Sequence, residues 1–490
     1  MNSLANGVNY GNLFAITLPE TILEVVSLLV LIVDLGWLRK SAQATRMAAA
    51  CAVGVLGCLL STLWLFAHPQ TASLATDALV ATPLVAAAQI GILILTALML
   101  LLSVRAEFSR NPGEFVAIVL LSATGMLLVT AARDLLLIFI ALELLSLSLY
   151  VLTAFAKSSA QSAEAALKYY LFGGMSAAMM LFGFSYLYGL TGTTNLSEIA
   201  TALAAQSVSP LLVVALVLVS AGLGFKIAAV PFHLWAPDTY QGAPTQVAAL
   251  IASGSKVASF SVLIALTDGV LGSQPYGQNP AWIMLLVWMA AGSIVLGNLA
   301  ALVQTSVRRL IAYSAIAHAG YMLLGIAAHT PQSGAAVLYY TLTYALTIVG
   351  AFGLIAVVER STGSDRLDAF AGLSRRNPLL AASMLIFLLS LAGIPPLVGF
   401  WAKFNLFASV LRSPSAGHWG LPLVALALGA SAVSLYYYLQ VLKRVYVVKP
   451  VQTEPLQISL LELTTLAGIA LAVALLGLFP NALSGWIPLG

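Results

Sequence analysis

PLLVVALVLVSAGLGFKIAAVPFHLW, residues 210–235, is apolar on every side, yet it carries one lysine, Lys226, and a proline, Pro231, five positions later. A helix that is hydrophobic all round has no water-facing side, so it belongs in a large core or in a bilayer. Length favours the bilayer, because the run is long enough to cross about 30 Å of hydrocarbon. The composition agrees: 61% of the 490 residues are hydrophobic and 8% are charged, against roughly 45–50% and 25% in soluble domains. With only 21 basic and 17 acidic side chains, a soluble protein of this length would lack a charged shell. Net charge is +4, but the basic residues do not gather into the single face that nucleic acid requires.

Working outward from this stretch, apolar runs of spanning length fall near 14–36, 46–67, 83–104, 115–132, 135–156, 168–191, 210–230, 244–267, 282–304, 308–328, 334–358, 379–402, 421–446 and 457–479. They predict an all-α, polytopic membrane protein of about fourteen transmembrane helices. The loops between them divide the basic residues sharply. Odd-numbered loops hold Arg39, Lys40, Arg46, Arg105, Arg110, Lys157, Arg308, Arg309, Arg360, Arg366, Arg375, Arg376, Lys443, Arg444 and Lys449, whereas even-numbered loops hold Arg133 and Arg412. Basic loops stay in the cytoplasm, so both termini are expected on the outer, periplasmic side. Dropping any one helix would scramble the alternation, so run length and charge side support the same count.

Four basic residues stay outside the loops: Lys168, Lys226, Lys256 and Lys403. Lys256 lies in VAALIASGSKVASFSVLIAL, Lys403 in LLSLAGIPPLVGFWAKFNLF, and a carboxylate, Glu143, in LLLIFIALELLSLSLYVLTAF. Each charge costs about 2.5–3.5 kcal/mol at a span centre and faces protein or water rather than lipid. Snorkelling to an interface is the bland alternative, and it suits Lys403, nearest a helix end, best. Pro231 follows Lys226, and Gly393, Pro395 and Pro396 precede Lys403. An interior proline removes a backbone bond and breaks or kinks a span, and broken spans at membrane depth line transport routes when they recur in two halves. A packing kink would explain one such break; two, each beside a lysine, point to a pathway.

The breaks also organise the chain. Residues 1–110 form an expected N-terminal three-helix segment, 115–267 a first five-helix unit, 282–446 a second and 457–490 a C-terminal helix. An odd number of helices per unit inverts the second relative to the first, and the broken seventh and twelfth helices fall fourth in each.

Other chemistries find no support. Cys51 and Cys58, seven apart on one helix, are separated by about 10 Å along its axis, too far to bridge, and read as small apolar fillers. Without a Cys-x-x-Cys set, this chain alone is not expected to ligate an iron–sulfur cluster. GLGF at 222–225 lacks a third glycine and lies inside a span rather than after a strand, so it is not a dinucleotide fingerprint. Residues 1–13 lack the basic n-region of a cleaved signal, and the first helix is expected to be retained.

Val230–Phe260, VPFHLWAPDTYQGAPTQVAALIASGSKVASF, together with DLLLIFIALELLSLSLYVL and LAGIPPLVGFWAKF, resembles the antiporter-like subunits of respiratory complex I, the proton-pumping NADH:quinone oxidoreductase. The resemblance covers essentially the whole chain. Within that family it is most similar to subunit N, the counterpart of mitochondrial subunit 2: the chain has no room for the extra C-terminal helices of subunit L, and subunit M carries glutamate where Lys403 stands.

The resemblance implies roles residue by residue. Glu143 resembles the fifth-helix glutamate and Lys226 the seventh-helix lysine of a charge-modulating pair. Lys256 resembles the central eighth-helix lysine and Lys403 the exit-side lysine of the twelfth. Lys168 in AALKYYLFGG and His318 in AYSAIAHAGYMLLG resemble relay positions, although a hydrogen-bonded core histidine is the plainer reading of His318. His233, beside a break and near Asp238, suits a structural role as well as proton transfer. Glu24 and Asp34 read as partner-contact or interfacial residues rather than relay members.

The implied function is proton translocation in a bacterial inner membrane, coupled to NADH oxidation and quinone reduction by partner subunits. FMN and iron–sulfur clusters are expected in those partners and no cofactor in this chain. The expected partners are other membrane-arm subunits, including sister antiporter-like subunits, and the lipid bilayer. Separation within an ion pair sets the proton affinity of its members, so a signal that moves Glu143 from Lys226 would pass a proton toward Lys256 and Lys403. Two rivals stay open: a subunit of a multi-subunit sodium/proton antiporter or membrane-bound hydrogenase, and a non-conducting scaffold.

Overall fold

Lipid offers no hydrogen bonds, so every spanning segment must satisfy its backbone internally. The computed structural model is accordingly almost wholly helical; it describes residues 10–68, 72–73, 78–108, 110–204, 209–271, 280–450, 456–484 and 487. One two-residue ladder, Ala72–Ser73 against Val80–Ala81, interrupts the helices. Span starts follow local chemistry. Thr82, Ser209, Thr330 and Asn377 accept a backbone N–H through their side chains, and each is followed by proline at the first helical position. That pairing fills one orphan donor and removes another.

Among the described residues thirteen helices are long and apolar enough to cross a membrane. The fourteenth expected span, the twelfth in order, is two shorter helices, Pro378–Ala392 and Val398–Arg412. The count of about fourteen therefore holds with the twelfth broken at the expected place. The seventh span, Pro210–Ile227, stops one residue after Lys226, and a short helix, Trp235–Gly242, follows.

Three features depart from the expected boundaries. The sixth helix begins at Ala160 rather than 168 and runs to Thr191, so Lys168 sits well inside it. A short amphipathic helix, Leu196–Ala204, precedes the seventh span. The eighth span, expected as one run, is interrupted at Ser253 between Thr245–Ala252 and Gly254–Leu271. No proline is involved there; a Ser-Gly pair offers the chain little resistance to leaving helical geometry, and the Ser253 hydroxyl donates to Ala249 O at 2.6 Å.

The interior belongs to the eighth, tenth and eleventh spans, Thr245–Asp268, Val307–Ala328 and Gln332–Thr362, each 94% buried over its most apolar window. The ninth span packs along the tenth and the sixth along the seventh, while the first and third both pack on the fourth. Side chains on the interior spans therefore face protein, and Lys256 and His318 are among them.

Candidate functional site

The three lysines of the series are buried, with relative exposures of 6% for Lys226, 1% for Lys256 and 6% for Lys403. Each stands beside a break. Lys226 lies in the last turn of the seventh span, where Ala228 turns left-handed; carbonyls left open at a helix C-terminus favour a cation. One of those carbonyls, Phe225 O, accepts from the indole of Trp235 at 3.0 Å, and Trp235 stacks on Tyr169 at 4.4 Å. The amide of Val230 is held by Ser293 Oγ at 2.9 Å.

Lys226 Nζ donates to Ser146 Oγ, and Ser146 Oγ in turn to Leu142 O. Ser146 lies one turn beyond Glu143 on the fifth span, on the same side of the helix. No ion pair joins Glu143 to Lys226 in this structure. Glu143 Oε1 is buried without a hydrogen-bond partner, within electrostatic reach of the amine. The pair is present but not closed.

Lys403 closes its own break. Its Nζ donates to Ala392 O at 2.8 Å and to Ser431 Oγ at 2.6 Å, and Ala392 is the last residue of the first half-helix. Gly393 then turns at φ 85°, and a Cβ there would meet Lys403 Cδ at 2.8 Å. A residue with a side chain would be strained twice over.

Lys256, just past the Ser253 interruption, donates to Ala315 O at 2.6 Å. Its Nζ stands 5.5 Å from the Tyr344 ring, which lies 4.9 Å from the His318 ring. His318 Nδ1 is 2.8 Å from Tyr340 OH, and the Tyr321 ring, 5.6 Å from His318, lies 5.3 Å from Lys403 Nζ. His318 thus stands between Lys256 and Lys403. A cavity of about 10 Å³, bounded by His318, Tyr344, Ser390 and Lys403, is about large enough for one water.

Between the Lys226 and Lys256 clusters runs a path of rings: Tyr150, Tyr169, Trp235 and Tyr240, with Tyr344 an electrostatic neighbour of Tyr240. The hydroxyls of Tyr240 and Tyr344 are buried without a protein partner.

A family profile described as NADH:quinone oxidoreductase/Mrp antiporter, TM matches residues 132–432. NADH-quinone oxidoreductase subunit N 2 of Acidobacterium capsulatum is 50% identical over 98% of this chain and 100% of that protein. The chain belongs to the NADH-quinone oxidoreductase subunit N family. A subunit N of Desulfovibrio desulfuricans is 40% identical, covering 96% of this chain and 95% of its own. A chain of respiratory complex I from Thermus thermophilus with bound aureothin superposes with a TM-score of 0.77 at 35% identity, over 94% of this chain and 97% of that one. The Mrp complex from Dietzia shares the fold, with a TM-score of 0.81 at 21% identity, covering 96% and 97%. Like its subunit N relatives, the chain is a multi-pass membrane protein of a multi-subunit assembly.

Of the residues expected at the site of this subunit N family member, the structure gathers Lys256, His318 and Lys403 in one cluster and Glu143 with Lys226 in another. Lys168 falls elsewhere. It is 39% exposed and pairs with Glu164 and Asp238 at 2.7 Å each, with Arg309 on the other Asp238 oxygen at 2.7 Å. That network lies on the side of the basic loops, away from the other lysines. Asp34 is buried in a bidentate pair with Arg46 and accepts from Gly113 N at 3.1 Å. His233 keeps Nδ1 buried without a partner.

Sequence reasoning missed Ser146, Ser431 and the tyrosines. The clusters YYTLTY at 339–344 and YYY at 436–438 were the available signal, because hydroxyl-bearing rings in an interior span need partners. Arg308, read as a loop charge, is buried: it donates to Tyr240 O at 2.9 Å and Ala243 O, and pairs with Glu359 at 3.1 Å.

Proposed function

We propose that this chain moves protons across the membrane as part of an NADH-quinone oxidoreductase, with Glu143 and Lys226 as the modulated pair and Lys256, His318 and Lys403 as the onward series. The observation that carries the reading is the placement of three buried amines, each beside a break in its span, in a chain that belongs to the subunit N family. A break frees backbone groups that only protein or water can satisfy, and a lysine at such a point has a partner in either charge state.

The open Glu143 to Lys226 arrangement supports a switch. Opposite charges at close range favour the charged forms of both, so closing and opening the pair alters how tightly Lys226 holds its proton. Ser146 Oγ takes the amine in the open state. Moving one charge against 100 mV costs about 2.3 kcal/mol, and the drive comes from the redox chemistry of partner subunits. FMN and iron–sulfur clusters would sit in those partners; in this chain Cys51 and Cys58 are both buried in the second span. Lys168 serves as a tie between the sixth helix, Asp238 and Arg309 at the cytoplasmic side.

The basic loops support a cytoplasmic odd side with both termini outside, and the breaks at 227 and 393 support two inverted five-helix units, 115–267 and 282–446. Glu24, exposed on the first span, supports a neighbouring membrane-arm subunit against that face, because lipid contact would be costly for a carboxylate. A sister antiporter-like subunit suits it.

The test is Lys226→Ala and Glu143→Ala in the assembled complex, with protons pumped per NADH oxidised as the readout. A lowered ratio is expected for both; wild-type values in both would overturn the switch. Unaltered pumping after Lys256→Ala as well would leave the scaffold reading, and a strict sodium requirement would favour the antiporter one.

A further inference from the structure

Glu20 lies in the first span, outside the lysine series, and is 4% exposed. Its position, seven residues past Leu13, where the apolar span begins, places it about 10 Å along that span. One carboxyl oxygen, Oε1, accepts from Gln89 Nε2 at 3.2 Å; the other, Oε2, is buried with no partner. No basic side chain pairs with it among the described residues. On the second span the Ser61 hydroxyl is committed to Pro19 O at 3.0 Å, and Glu24, one turn along on the exposed side, is a titratable group within electrostatic reach. An unpaired carboxylate in such a place is costly, and taking up a proton relieves the cost.

A polar thread leads from this carboxyl to a cavity. Gln89 Nε2 also donates to Leu127 O at 3.3 Å, Thr130 Oγ1 donates to the same carbonyl at 2.7 Å, and Arg133 donates to Thr130 O at 3.1 Å. Thr130 and Arg133 line a cavity of about 700 Å³, together with Val85, Ala88, Ser261 and Asp268. Burial pushes the Arg133 guanidinium down to about 10, so it stays charged at neutral pH. The cavity lies on the side of the even-numbered loops, where Arg133 is one of two basic loop residues. Ile16, one turn before Glu20, packs with Val85 and Ala131 at its wall.

We infer that Glu20 is a second proton-binding site of this subunit, separate from the lysine series and exchanging with the outer aqueous phase through the Thr130–Arg133–Asp268 cavity. Its ligand is the proton. The outward direction rests on the orientation given under the proposed function.

The probe is a membrane-impermeant quaternary-ammonium carbodiimide, applied to wild-type complex in right-side-out and inverted vesicles and mapped by mass spectrometry. A protonated carboxyl gives its proton to a carbodiimide nitrogen while its oxygen bonds to the carbodiimide carbon, leaving an adduct on that glutamate. The expected result is an adduct on Glu20 from the outer face alone, weakening as outer pH rises and absent in Glu20→Gln. No adduct on Glu20 from either face, or equal labelling from both, overturns the inference, and the wild-type mapping decides this even where Glu20→Gln does not assemble. Labelling from the inner face alone overturns it too. An impermeant amine reagent on Lys157 and Lys443, both exposed, then separates the causes: if these lysines react in right-side-out vesicles, the orientation itself has failed; if they react in inverted vesicles, only the assignment of Glu20 has.

Discussion

Lys403 Nζ lies 2.8 Å from the carbonyl oxygen of Ala392, the residue at which its own broken span stops. The amine of the second half-helix thus closes the end of the first, with Ser431 Oγ, 2.6 Å from the amine, also donating to Ala392 O at 3.2 Å. Charge and architecture meet at one atom.

Gly393→Ala tests that union without removing the amine. A left-handed residue bearing a Cβ costs about 1–2 kcal/mol, and this Cβ would also press on Lys403 Cδ. Lower thermal stability of the assembled complex and a lower ratio of protons pumped to NADH oxidised are expected together. A stability loss with an unchanged ratio would mean that the position of Lys403 is immaterial.

Ser146→Ala removes the side-chain acceptor of Lys226 while leaving Glu143 in place. A hydrogen bond to a charged group is worth about 1.5–3 kcal/mol, so the pumping rate should shift measurably, and Ser146→Thr should restore it. Proton uptake kinetics in reconstituted complex would show both.

His318→Phe keeps the ring packing against Tyr321 and Tyr344 but removes both nitrogens. Pumping should fall and assembly should not, as read from subunit content and proton stoichiometry on one preparation. Equal loss of assembly would assign His318 to the core instead.

Gly399→Ala tests the packing of the twelfth break. Its Cβ would come within 1.8 Å of Ser390 O, where the two half-helices touch backbone to backbone. Overlap with main-chain atoms belongs to the rare substitutions costing more than about 4 kcal/mol, so the complex should lose this subunit on native gels.

The sequence displayed those parts of the site where a charge interrupts an apolar run, which is why Glu143, Lys226, Lys256 and Lys403 could be named from it. The seventh and twelfth breaks were legible because proline enforces them. The eighth was not, since Ser253 and Gly254 permit a break without requiring one. The surroundings of Lys168 were not legible, because AALKYYLFGG looks apolar, its partner Asp238 is 70 residues away and the helix starts earlier than the apolar pattern does. Glu20 was not singled out from the first apolar run; its packing against Gln89 distinguishes this buried carboxyl from the exposed Glu24.

The void beside Lys403 has a chemical consequence in its size. A space holding roughly one water leaves no room for a hydrated alkali ion, and among the residues that line it, including His318, Thr343, Tyr344, Ser390 and Lys403, there is no carboxylate. A proton needs no such volume, because it is handed from one oxygen or nitrogen to the next. On the proposed route, a space this narrow suits a proton passed between fixed groups.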